Sequence, residues 1–151
     1  VRASSTLPFV MPAVHIDGHV YYDGGLGQGA GIPLQLALDS GCSRIFAILT
    51  RPKGFRKPAP DIGRSARMIA NSYHKYPYVR EALLTRNERY NAELEKLEQL
   101  AAEGKAYIVY ADKMAVENNT TDIKKLRSSY FDGYNQAQKE FPRWLEWLGI
   151  E

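Results

Sequence analysis

The sequence predicts an α/β fold, on three observations. Arg44 to Thr50 (RIFAILT) and Ala106 to Ala111 (AYIVYA) are almost unbroken apolar runs, the character of strands buried on both faces of an α/β sheet. Segments with helical periodicity lie between and after these runs, as a sheet with helical crossovers requires. The first fifty residues alternate quickly between short strands and turns, and no run of about 18 apolar residues offers a membrane span.

The elements follow in chain order. Val14 to Ile16 and His19 to Tyr22 are short β-type runs joined by Asp17-Gly18, a strong two-residue hairpin signal because Gly tolerates the positive φ of a type I′ turn. Gly24 to Gly31 holds five glycines in eight residues. Leu34 to Leu38 reads as a short helix with Pro33 in its first turn and Gly41 at its end. Arg51 to Pro60, with three prolines, is a loop. Asp61 to Tyr73 is a helix on the recurrence of Ile62, Ala66, Ile69 and Ala70. Pro77 interrupts it, and Tyr78 to Glu103 is one longer helix with the stripe Leu83, Tyr90, Leu94, Leu97, Ala101 and Gly104 beyond its end. The stripe is short for a coiled coil and carries Asn87 at a seam position, so packing against the sheet is its expected fate. After a polar loop, Glu117 to Thr121, Asp122 opens a last helix with Ile123, Leu126, Tyr130, Phe131, Tyr134 and Ala137 on its apolar side. Pro142 is expected to break that helix before the tail Trp144 to Leu148.

Composition and charge narrow the function. At 151 residues, 44% hydrophobic and 25% charged, the chain has globular usage and the size of one domain. A net charge of +3 is too small to argue for nucleic acid. The cations cluster: Arg51, Lys53, Arg56, Lys57, Arg64 and Arg67 against Asp61 alone, a patch suited to a solvated loop, a phosphate-bearing partner or an anionic membrane surface. Cys42, the single cysteine, cannot form an intrachain disulfide; a reducing compartment is expected, with the thiol a small buried apolar group. The chain begins Val1-Arg2-Ala3, without Met and without the apolar region of a signal peptide. It reads as a cytoplasmic piece of something longer.

Several residues invite chemistry. His15, Asp17 and His19 have the spacing of three metal ligands on one strand, but the Asp17-Gly18 turn breaks that geometry, and no metal is expected. His74 sits near a helix end as a surface or dipole-facing group. Gly25 to Ala30 fits G-x-G-x-x-A, yet no acidic residue follows at the distance where a ribose ligand belongs, so no nucleotide cofactor is expected. Asp23 stands apart: a carboxylate at the end of a strand, followed by Gly24-Gly25, is open to a crevice and to a second chain segment. It can serve as a general base, or it can start a turn by accepting from the following backbone.

Ala3-Ser4-Ser5-Thr6-Leu7-Pro8 to Pro12, followed by Asp17-Gly18-His19-Val20-Tyr21-Tyr22-Asp23-Gly24-Gly25, resembles the second half of a patatin-like phospholipase, most nearly bacterial members with an extended helical C-terminal part. The resemblance covers about Arg2 to Pro33, with RIFAILT compatible as the next strand. It departs after the motif, where the family often has Asn-Pro and this chain has Gly31-Ile32-Pro33. It implies a three-layer α/β/α fold, with residues 1–115 the C-terminal part of that domain, 61–104 a helical insertion and 116–151 a helical extension. It implies a hydrolase of lipid acyl esters, in lipid degradation, using a Ser-Asp dyad and no cofactor. Asp23, in the Asp23-Gly24-Gly25 motif, is the proton acceptor; the serine of G-x-S-x-G is not in this chain. The implied partners are a lipid or acyl ester and a membrane surface met by Arg51, Lys53, Arg56 and Lys57. A non-catalytic anionic-lipid-binding or regulatory module and a nucleotide-binding oxidoreductase fragment are the alternatives.

Overall fold

The computed structural model describes residues 1–59, 63–117 and 120–150. The chain forms two compact units that interleave in sequence, one of residues 1–43 and 56–99, the other of residues 44–55 and 100–151.

In the first unit a 3₁₀ turn over Ala3–Ser5 precedes a hairpin of β1 (Val14–Ile16) and β2 (His19–Tyr21). Asp17 and Gly18 sit at φ 49° and 78°, so both turn residues take the left-handed conformation the dipeptide predicts for a type I′ turn. A second 3₁₀ turn, Gly24–Leu26, opens the glycine loop, and α1 (Leu34–Asp39) follows it. Cys42, expected inside, is exposed: Gly41 ends α1 in the left-handed region, and the polar turn beyond it carries the thiol outward.

The helix begun at Asp61 is α2, Arg64–Ser72; Asp61 and Ile62 lie outside the described residues. The single long helix expected from Tyr78 is two, α3 (Pro77–Leu84) and α4 (Arg86–Ala102), parted at Thr85. Pro77 starts α3, where its missing N–H costs nothing. Thr85 Oγ1 donates to the Glu81 carbonyl at 2.9 Å and thereby stops α3, while the Thr85 carbonyl accepts from Arg89 and starts α4. Tyr90, Leu94 and Leu97 of the expected stripe are buried, with Thr6, Ala30, Ile32, Leu34 and Glu93.

The second unit pairs β3 (Ile45–Leu49) with β4 (Ala106–Tyr110) in parallel, Ile45 opposite Ala106 and Leu49 opposite Tyr110. Gly104 ends α4 as expected: its N–H donates to Ala101 and that of Lys105 to Leu100, the paired bonds of a Schellman cap. β3 is only half-buried and Ile48 is 66% exposed, so the expectation of a strand covered on both faces is not met.

Asp122 caps α5 (Ile123–Leu148), accepting from the N–H groups of Lys124 and Lys125; of the preceding polar loop, residues 118 and 119 lie outside the described residues. Pro142 does not end this helix. An internal proline costs about 3 kcal/mol, and an aromatic cluster offsets it by fixing the turns beyond: Trp144 and Trp147 pack on Phe46 with ring centroids 5.7 and 6.1 Å apart. Tyr107 joins them, and the Arg44 guanidinium lies 4.2 Å over the Trp147 ring. The apolar side read from the sequence remains open, with Ile123, Leu126, Tyr130, Phe131 and Tyr134 all exposed.

Gly133 lies inside α5, and a Cβ built on it meets nothing within 4 Å. Gly133→Ala is therefore expected to raise stability by about 1 kcal/mol through helix propensity, read as a higher Tm by circular dichroism.

Candidate functional site

Asp23 is half-buried at the start of the Gly24–Leu26 turn and is held from two directions. Its N–H donates to the Thr6 carbonyl at 3.0 Å. Thr6 is 1% exposed and anchored in turn by its hydroxyl, which donates to the Arg2 carbonyl at 2.7 Å. The Ala3-Ser4-Ser5-Thr6 stretch and the Asp23-Gly24-Gly25 triplet thus meet through the backbone. Asp23 Oδ1 accepts from the Gly25 N–H at 2.6 Å, the turn-starting bond expected of Asp-Gly. Oδ2 has no hydrogen-bond partner among the described residues.

An open cleft of about 500 Å³ runs beside this carboxylate. Its walls are Ser4, Asp23 and the glycine loop, closed by Ile32, Pro33, Gln35, Leu36 and Asp39. Close approach requires glycine at position 29 and crowds position 25. A Cβ on Gly29 would sit 1.8 Å from the Ile32 carbonyl oxygen, and one on Gly25 would lie 2.8 Å from both Asp23 Oδ1 and Arg86 Nη2.

The loop's carbonyls are taken up by α4. Arg86 Nε donates to the Gly25 carbonyl at 3.2 Å. Arg89 Nη1 donates to the carbonyls of Leu26 and Gln28, both at 3.3 Å, and to that of Gly27, while Nη2 reaches Ala82 at 2.6 Å. Glu93, one turn further on, accepts from the Gln35 N–H at 3.2 Å and so caps α1 from a distant part of the chain. Positions 86, 89 and 93 share one helix face. None of these three was a candidate in the sequence; the polar residues at helical spacing were the available signal, hidden among the many other charges of α4.

The remaining candidates separate. Among the described residues no group of His, Cys, Asp and Glu has the arrangement of a metal site, and His15, Asp17 and His19 are spread over the hairpin. His74 Nδ1 lies 2.8 Å from the Asn71 carbonyl at the end of α2. In the basic loop, Arg51 lies 4.8 Å over the Phe55 ring, Arg56 pairs with Glu98, and Lys57 lies 3.9 Å over the Tyr90 ring. Asn91 exchanges two hydrogen bonds of 2.9 Å with the Lys57 backbone. The loop is therefore tied down, with Lys53 exposed.

Next to Asp23, the Tyr22 hydroxyl is held above its ordinary range, first by desolvation and then by its hydrogen bond to Tyr73 and the charges of Tyr73 and Tyr76.

Residues 76–149 match a family described as a domain of unknown function (DUF6363). The match takes in Arg86, Arg89, Glu93, β4 and α5, and begins well after Asp23. No curated protein and no solved structure matches the chain. Among the described residues no helix is long and apolar enough to cross a membrane.

Arg89→Ala is expected to cost about 2–3 kcal/mol in urea unfolding, since hydrogen bonds to a charged donor contribute about 1.5–3 kcal/mol each and do not add fully. Arg89→Lys should not restore it, because one ammonium cannot span the same carbonyls. Tyr22 gives a pH test. Above the ordinary tyrosine value of about 10 the unfolded chain releases this proton while the folded chain retains it, so stability falls as pH rises through the raised value. Tyr22→Phe should flatten the alkaline limb of a stability–pH curve above about pH 10; an unchanged limb would contradict the assignment.

Proposed function

We propose that this chain is the C-terminal part of a patatin-like serine acyl hydrolase acting on lipid acyl esters, with Asp23 as general base. The observation that carries the reading is the bond from the Asp23 N–H to the Thr6 carbonyl, which joins the two stretches on which the family resemblance rests. One carboxylate oxygen is fixed by Gly25, and the other stands free beside a cleft walled by glycines, where a serine on another chain segment has room to approach. A base in that position takes the proton of a serine hydroxyl as its oxygen attacks the acyl carbonyl, then returns it to the departing alcohol. The nucleophile belongs to a G-x-S-x-G elbow, a motif this chain lacks.

The three-layer α/β/α architecture is part of the same proposal. Parallel sheets are found with both faces covered and with more than two strands; a two-stranded parallel pair with Ile48 exposed fits a larger sheet completed from elsewhere. Contact with an anionic membrane through the basic loop belongs to the proposal as well, with Lys53 and Arg56 as exposed cations.

The test is Asp23→Asn in a polypeptide that joins this chain to the serine-bearing segment. Asn keeps the turn bond from Gly25 and removes the proton-accepting capacity. The expected loss is about 10² to 10⁴ in kcat, or about 3 to 6 kcal/mol of transition-state stabilisation, with KM little changed. An Asp23→Asn enzyme that keeps more than half its esterase rate would leave Asp23 as a turn residue only.

A further inference from the structure

The second unit contains another cleft, of about 610 Å³, within the 300–1,000 Å³ usual for small-molecule sites. It opens where β3 and β4 end and α5 passes, which is where parallel sheets place ligands, outside the carboxyl ends of the strands. Its apolar lining includes Leu49, Val109, Met114, Val116 and Trp144. Val109 is 6% exposed at the bottom, and the Trp144 indole N–H is shielded with no acceptor among the described residues.

The outer part is charged. Lys113 and Asp132 neutralise one another at 3.0 Å. The carboxylate of Asp112 and the ammonium of Lys139, both exposed, have no partner among the described residues. An apolar floor below one free anion and one free cation matches a ligand with a hydrocarbon chain and a head of both signs. Gly133 supplies the third observation. It lines this cleft from inside α5, where glycine is a poor choice, and the space its missing side chain leaves is open.

We propose that this cleft binds a single-chain zwitterionic amphiphile, of the class of monoacyl phospholipids, with the chain against Val109 and Trp144 and the head between Asp112 and Lys139. This binding does not depend on any chemistry at Asp23, which lies in the other unit.

Titration of the whole chain with decylphosphocholine below its micelle concentration, followed by tryptophan fluorescence, tests it. Saturable binding is expected. Decanoate and decyltrimethylammonium, which each satisfy one rim charge, should bind about three-fold or more weakly, the order of one exposed ion pair. Gly133→Leu places a side chain in the cleft and improves helix propensity, so it should fold at least as well while weakening binding about ten-fold or more, as an occupied apolar floor requires. Unsaturable titration, equal affinity for all three amphiphiles, or wild-type affinity in a folded Gly133→Leu protein would each overturn the assignment.

Discussion

A loop made of glycine has no side chains with which to satisfy its own backbone, and this constraint organises the first unit. The carbonyls of Gly25 to Gln28 face α4, where Arg86 and Arg89 supply charged donors. The Gly25 and Leu26 bonds are part-buried, and peptide groups left there without partners cost about 1–3 kcal/mol each, so the guanidinium groups stabilise the loop. They also fall in the first turn of α4, where the helix dipole disfavours cations; the loop carbonyls offset that penalty. The carboxylate of Asp23 then has a fixed floor to stand on.

The second unit depends on rings where the first depends on guanidinium groups. Phe46 and Tyr107 stack across β3 and β4 at 5.4 Å, and the two tryptophans of α5 close over them. This cluster holds the C-terminal turns of a helix interrupted by proline, and so sets where the rest of α5 passes the strand ends. Gln136 reinforces the placement by donating to the Tyr110 carbonyl at 2.7 Å while accepting from the Asp112 N–H at 3.1 Å.

What was legible in the sequence was local. Asp17-Gly18, Gly104 and Asp122 act through their own backbone neighbourhoods, and each does what its residue type dictates. Thr85 was legible too, since Thr85-Arg86-Asn87-Glu88 has the spacing of a helix start, but the apolar stripe running across it masked the signal. Pro142 and Cys42 deceived because their outcomes rest on distant or missing packing: the aromatic cluster in one case, a turn without cover in the other. Asp23 could be singled out because strand end and glycines are contiguous. Arg86, Arg89 and Glu93 could not, because their partners lie about 60 residues away in sequence.

That separation has a kinetic side. α1 is six residues long, well below the length at which an isolated helix persists in water, and its start is capped by Glu93. The β1–β2 hairpin and the separate turns of α4 can form within microseconds from neighbouring residues alone. The glycine loop and α1 cannot; they must await closure of a long chain segment that brings α4 to them. The cleft beside Asp23 therefore assembles after local structure has formed, and a fluctuation that frees the N-terminal end of α4 removes the donors that hold its glycine loop.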